Sequence, residues 1–241
     1  MRQRKIDYTV RESLRAKRVI LKVGVNGLEV VVPRRFGKRR LQGILEDNRQ
    51  WIEKELQRLK EWPPLVAPEY INLNAIDEFW QVNYQSYPTS DGRFSVKEHT
   101  SNRLLVDRHV DDVREISSIF TEWLHLKAHS HLVPWLQEVS REVGIPFQKA
   151  TVRGQTTRWA SCSKLGNISL NRSLLFLPRN LVRHVLLHEL CHIKVLNHSP
   201  EFWNLLRQLE PACKELEVEV RKANQYVPQW VFLRQLTGAK R

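Results

Sequence analysis

The stretch "HVLLHELCHIKVLNHSPEFW" (184–203) decides how the rest of the chain is read. His188 and His192 stand four apart, and Glu189 directly follows the first. Residues four apart on an α-helix share one face, one turn above the other, so both imidazoles can aim at one point. Glu189 lies about 100° round such a helix from His188, close enough to reach a water on a metal without ligating it. His198 comes six residues after His192, the interval at which the extended motif HExxHxxGxxH places its third histidine. A catalytic zinc takes three protein ligands and keeps one open position. His188, His192 and His198 would supply the three. The helix then has to stop between 192 and 198. No glycine stands there, so Asn197, which tolerates the left-handed conformation, is the expected turning residue.

The distribution of acid supports a special role for Glu189. From Val143 to Pro200 it is the only Asp or Glu, while Lys149, Arg153, Arg158, Lys164, Arg172, Arg179, Arg183 and Lys194 carry positive charge. The lack of any other carboxylate in this stretch argues against an oxygen-ligand Ca²⁺ or Mg²⁺ cage within it. The plainer alternative is an amphipathic helix with two half-buried histidines and an exposed glutamate. His184 lies on the same stripe one turn earlier and belongs to either reading.

Composition bounds the rest. The 241 residues are 41% hydrophobic and 27% charged, a soluble globular balance long enough for a real core. No apolar run is long enough to span a membrane. The start "MRQRKIDYTVRES" is basic without an apolar run, so no secretory signal is expected. Cys162, Cys191 and Cys213 are far apart and form no CxxC pair, which fits a reducing cytoplasm rather than a disulfide framework. The net charge of +13 favours polyanionic partners such as nucleic acid or nucleotides, or else only a solvated basic surface.

Along the chain, "RVILKV" (18–23) and "LEVVV" (28–32) read as a hairpin closed at Asn26-Gly27, and Pro33 ends it. Leu41, Ile44, Leu45, Ile52, Leu56 and Leu59 recur at helical spacing and predict one helix from about Gly37 to Trp62. "WPPLVAP" (62–68) is the linker candidate. Short strands are expected over 69–110, with turns at "TSDG" and "HTSN". A long helix is expected from Asp111 to Val143, kinked or divided by Pro134 and ended by Gly144. His125, His129 and His131 lie in it and read as surface or packing residues. Residues 147–171 read as two or three short antiparallel strands breaking at Gly154 and Gly166. The helix with the two histidines follows, with Pro178 in its first turn. Ser199 suits the next N-cap and Pro200 the first helical position, and Pro211 breaks before a last helix.

The pieces "RVILKVGVNGLEVVVP", "NRQWIEKEL", "TRWASCSKLGNISLN" and "HVLLHELCHIKVLNHSPEFW" together resemble the YgjP-like zinc metallopeptidases, relatives of the SprT-like and WLM zincins. The resemblance covers roughly 15–60 and 115–210. It implies an α+β fold with a zincin-like catalytic domain, an active-site helix carrying His188, Glu189 and His192 on a small antiparallel sheet, with His198 as third ligand. Ala160 departs from the family's usual "RWGSC" glycine, and 62–110 finds no match. The metzincin signature is missing: Val195 replaces its glycine, and Met1 is the sole methionine. The expected organisation is an N-terminal β-rich region with one long helix (1–110), the zincin-like domain (111–225) and a tail (226–241).

The chemistry expected is zinc-dependent hydrolysis. Zinc lowers the pKa of its bound water towards ~7 and polarises the attacked oxygen. Glu189 acts as the general base. Arg158 is the candidate for stabilising the developing charge, since the resemblance puts its strand near the site, with Tyr226 in reserve. A peptidase is the default reading. The alternatives are a peptidase acting on nucleic-acid-bound proteins, a nucleoside triphosphate hydrolase, and a basic nucleic-acid-binding module with structural zinc. Retention of Glu189 speaks against the last, because a structural site needs no base.

Overall fold

The computed structural model describes residues 6–14, 16–24, 27–34, 36–60, 67–84, 96–99, 101–106, 113–155 and 157–231. The chain divides into two compact units, the first ending at Leu65 and the second running Val66–Val231. The division falls inside the proline-rich stretch, and residues 70–106 join the second unit, not an N-terminal region reaching 110.

In the first unit, β2 (Ile20–Gly24) and β3 (Gly27–Pro33) form the expected antiparallel hairpin. Val25 and Asn26 at its tip lie outside the described residues. β1 (Tyr8–Ser13) adds to β3 in parallel, giving the order β1-β3-β2. Its side chains are mostly exposed, so no hydrophobic period announced it. Alternate residues Leu28, Val30 and Val32 of β3 pack against Leu41, Leu45 and Ile52. The single helix expected over 37–62 is two, α1 (Lys38–Asp47) and α2 (Arg49–Lys60). Asn48 separates them at φ −106°, ψ 9°, and its side-chain amide donates to the Ile44 carbonyl at 2.8 Å. Such side-chain competition for backbone groups interrupts helices. The expected end at Trp62 lies outside the described residues.

The second unit opens with a sheet of β4 (Tyr70–Leu73), β5 (Glu78–Tyr84), β6 (Val96–His99) and β7 (Arg103–Val106), ordered β4-β5-β7-β6. Ser101 and Asn102, at φ 70° and 53°, turn β6 into β7. The "TSDG" turn lies outside the described residues. α3 (Val113–Val143) then runs 31 residues through Pro134 without dividing. Leu132, Trp135, Leu136 and Val139 around the proline are all buried, so packing holds the helix where propensity alone would break it. Its start at Asp111 lies outside the described residues. Gly144, at φ +66°, ends it as expected.

Three short strands follow: β8 (Lys149–Arg153), β9 (Ala160–Cys162) and β10 (Asn167–Asn171), ordered β8-β10-β9. β9 and β10 form an antiparallel hairpin, but β8 pairs with β10 in parallel rather than antiparallel. The hairpin folds β10 back between the other two, which reverses the pairing expected from chain order. Gly154 leaves room for Arg172: a Cβ there would sit 2.3 Å from the guanidinium, which would have to shift. A 3₁₀ turn (Arg172–Phe176) leads to α4 (Arg179–Lys194), α5 (Pro200–Leu209) and α6 (Cys213–Lys222). Pro178 stands at the N-cap of α4 rather than inside its first turn. The expected tail is partly core. Val227, Trp230 and Val231 are buried, and the Trp230 ring lies 5.5 Å from Phe120 and 5.9 Å from Phe176. Residues 232–241 lie outside the described residues.

Candidate metal centre

α4 is buried on most of its surface. Leu181, Val182, Val185, Leu186, Leu187, Leu190 and Cys191 lock it into the core. That immobility matters, because the helix carries His184, His188, Glu189 and His192. It ends at Val195, which leaves in an extended conformation (φ −133°, ψ 106°) while its N–H still bonds Cys191 at 2.9 Å. The turning residue is therefore Val195 and not Asn197. Among the described non-glycine residues only Asp77, Ser101 and Asn102 have positive φ. An extended residue takes the chain off the helix axis without a left-handed step. α5 then starts with Pro200 at N1, as expected. Ser199 occupies its N-cap, but its side chain makes no capping bond.

This path returns His198 to α4. The ligand-capable atoms of His188, His192 and His198 all lie within 4.8 Å of one another. Nε2 of His188 faces Nε2 of His198 at 3.0 Å. Nδ1 of His192 lies 3.1 Å from the Val195 carbonyl, so its Nε2 is the free donor. Phe202, fully buried, sits beneath all three rings with centroids 4.6–4.9 Å away. Trp203 stacks on His198 at 5.7 Å. Burial first, then the neighbouring imidazoles, push His188 down to about 4. Burial likewise lowers His192. Both rings therefore stay neutral and keep a lone pair to donate. An all-imidazole donor set suits zinc. Tetrahedral bonds of about 2.0–2.1 Å would set nitrogen pairs roughly 3.3 Å apart, near the 3.0 Å between His188 and His198. The residues fit a zinc ion.

Glu189 does not join this trio. It points instead into an adjoining cavity of about 200 Å³ lined by Arg158, Trp159, Ala160, Val185, His188 and Glu217, among others. Glu189 is 6% exposed, and its Oε2 has no hydrogen-bond partner. Burial pushes it up to about 7, against the opposing pull of Arg158 and the Cys162 N–H. The structure thus brings Arg158 to Glu189, on a loop pinned by Asn171. The Asn171 side-chain amide donates to the carbonyls of Gln155 and Arg158, each at 2.9 Å, and its oxygen accepts from the Ser173 N–H at 3.0 Å. Tyr226 is not among the residues lining the cavity. Burial, then Glu189, push the Cys162 thiol up to about 11, which keeps it protonated.

Sequence reasoning missed Glu217 on α6. Its Oε2 lies 3.4 Å from His184 Nε2 and 3.8 Å from His188 Nδ1. Within "KELEVEVR" nothing distinguishes it from Glu215 or Glu219. His184 is 1% exposed, a buried partner to that carboxylate. Phe202 was missed too, since one apolar residue on an amphipathic helix carries no local signal of its role. His129 is exposed and His131 faces Glu78 at 3.8 Å.

A buried helix presenting two histidines, a third returning from the next loop, and a buried carboxylate beside them define the class of metal-dependent hydrolases. The YgjP-like metallopeptidase domain matches residues 17–223, and the chain belongs to that family. Membership carries a divalent metal and a peptide or protein substrate. Two solved structures share similarity. The metallopeptidase zymogen of Pyrococcus abyssi abylysin is 27% identical, covering 37% of this chain and 91% of that one, with a TM-score of 0.34. That of Methanocaldococcus jannaschii jannalysin is 26% identical, covering 36% and 90%, with a TM-score of 0.33. No curated protein matches the sequence. Among the described residues no helix is long and apolar enough to cross a membrane.

Proposed function

We propose a zinc-dependent peptidase in which His188, His192 and His198 hold the ion and Glu189 is the general base. The observation that carries this reading is the convergence of three imidazoles beside a buried carboxylate whose Oε2 has no partner. Zinc, when bound, supplies Lewis acidity that acidifies a water and polarises the scissile carbonyl. Glu189 takes the proton of the attacking water and delivers it to the leaving amine. The Cys162 N–H, bonded to the same carboxylate, keeps it oriented. Arg158 offsets charge developing on the substrate oxygen. β9 is an edge strand of its sheet, packed beside α4, and an extended peptide pairs with such an edge through its main chain. The unpaired cysteines fit a reducing cytoplasm.

The nucleoside triphosphate reading has less support. Of the residues lining the cavity, Arg158 is the one Lys or Arg, and it faces two carboxylates, Glu189 and Glu217. A polyphosphate would be repelled there. The basic surface does favour a second reading, a peptidase acting on nucleic-acid-bound proteins. Lys149, Arg153, Arg158, Lys164 and Lys194 are all exposed within the acid-poor stretch. The test incubates zinc-loaded protein with casein and, separately, with nucleoside triphosphates, using Glu189→Gln as the blank. Glu189-dependent cleavage of casein is expected. Cleavage of the triphosphate alone would overturn the peptidase reading. A His188→Ala/His192→Ala double variant that keeps full zinc occupancy would overturn the metal assignment.

A further inference from the structure

We infer that Glu217 is a positioning residue for the metal centre: its negative carboxylate, facing Nδ1 of His188, favours the proton on that nitrogen and so the tautomer that presents Nε2. The inference rests on the zinc reading above. A neutral imidazole has one N–H and one lone pair. Nε2 of His188 is the nitrogen that faces His198, so the lone pair belongs there and the proton belongs on Nδ1. That proton needs an acceptor inside the fold. The carboxylate standing 3.8 Å from Nδ1 is Glu217.

Glu217 is itself held in place. Buried His184, one helical turn before His188, meets the same Oε2 at 3.4 Å, and Arg221 approaches the other oxygen at 3.7 Å. α6, which carries Glu217, is tied to the cavity wall by Trp159 Nε1, which donates to the Val220 carbonyl at 3.2 Å. The stripe 184–188–192 then has a consistent logic. His184 holds Glu217, Glu217 orients His188, and the Val195 carbonyl orients His192. Metal-bound histidines commonly donate their second nitrogen in this way, to a carboxylate or a carbonyl.

His184, His188 and Glu217 could also be read as ligands of a second ion, since their donor atoms lie within 4.8 Å of one another. That ion would share His188 with the first and need both of its ring nitrogens deprotonated. A carboxylate facing a protonated Nδ1 requires no such step, so the outer-carboxylate role is favoured.

The test measures zinc affinity at neutral pH by competition with a chromogenic chelator, together with zinc stoichiometry. The variants are Glu217→Ala, Glu217→Gln, His188→Ala and Glu217→Ala/His188→Ala. Glu217→Ala should bind zinc about 10- to 100-fold more weakly. Glu217→Gln, whose amide oxygen still turns a negative dipole towards Nδ1–H, should recover part of that loss. In the His188→Ala background, removing Glu217 should change nothing further, which a merely structural role would not predict. Unchanged affinity in both Glu217 variants, or an equal further loss without His188, overturns the inference. Two ions per chain in the wild type, falling to one in Glu217→Ala, overturns it in favour of the second site. Should the alanine variant fail to fold, Glu217→Gln carries the test through an expected loss of at least about threefold. Wild-type affinity in His188→Ala itself would bring down the zinc reading, a failure separately visible from that of Glu217.

Discussion

Glu189 illustrates how one helical step divides labour. His188 joins the trio of imidazoles, and its neighbour, about 100° round the helix, enters the cavity beside Arg158. Replacing Glu189 with glutamine keeps the shape and a hydrogen-bonding group but removes the base. The variant should retain its zinc and its fold, while hydrolysis falls by ~10²–10⁴. Metal analysis and single-turnover peptide cleavage check this together. Loss of zinc would make Glu189 a ligand, and full activity with full zinc would leave HELCH as a structural site. The relevant sequence signal was strong here because the histidine spacing and the lone carboxylate are both local features. Glu217 gave no such signal. It lies 25 residues beyond His192, and only folding brings α6 to α4.

At the scale of elements, the loop between β8 and β9 depends on Asn171. Three hydrogen bonds run from its buried side chain to Gln155, Arg158 and Ser173. Asn171→Ala leaves those backbone groups without their partner, at about 1–3 kcal/mol for a buried group. The expected loss of stability is in that range or above, read from chemical denaturation. Peptidase activity should fall more than zinc content, since the loop holds Arg158 and not the histidines.

A second element contact joins α3 to α4. Arg183 donates to Glu142 at 2.8 Å and holds that carboxyl below its usual range. A carboxylate with a depressed folded pKa contributes stability above its unfolded pKa of about 4.3, and loses it as pH falls through the lower folded value. The pair is largely exposed, so Glu142→Gln should cost no more than about 1 kcal/mol at neutral pH. The difference from wild type should shrink in acid and in high salt, as thermal melts across pH will show.

The basic stretch gains definition from the whole molecule. Arg172 is buried, Arg179 lies over the Trp135 ring at 4.5 Å, and Arg183 pairs with Glu142. Apart from Arg179, which is itself exposed, the exposed cations of the stretch are Lys149, Arg153, Arg158, Lys164 and Lys194. If all five met a single strand, log affinity should fall against log salt with a slope of about −3.5. Single-stranded DNA or heparin titrated at several salt concentrations measures it. A flat dependence would leave the charge as a solubility feature.

The sequence alone determined what depends on short-range geometry. Helical spacing set His188 against His192, the two β-branched runs marked β2 and β3, and Gly144 marked the end of α3. These follow from backbone sterics and the helical period, which act within a few residues. Tertiary structure decided the rest. It carried α3 through Pro134 by burying residues on both sides, and it paired β8 with β10 in parallel. It placed Phe202 under the three imidazoles and Glu217 behind His188. Each of these outcomes turns on which surfaces meet across long loops. Contacts of that kind are settled by burial and hydrogen-bond satisfaction over the whole fold, not by any pattern within one segment.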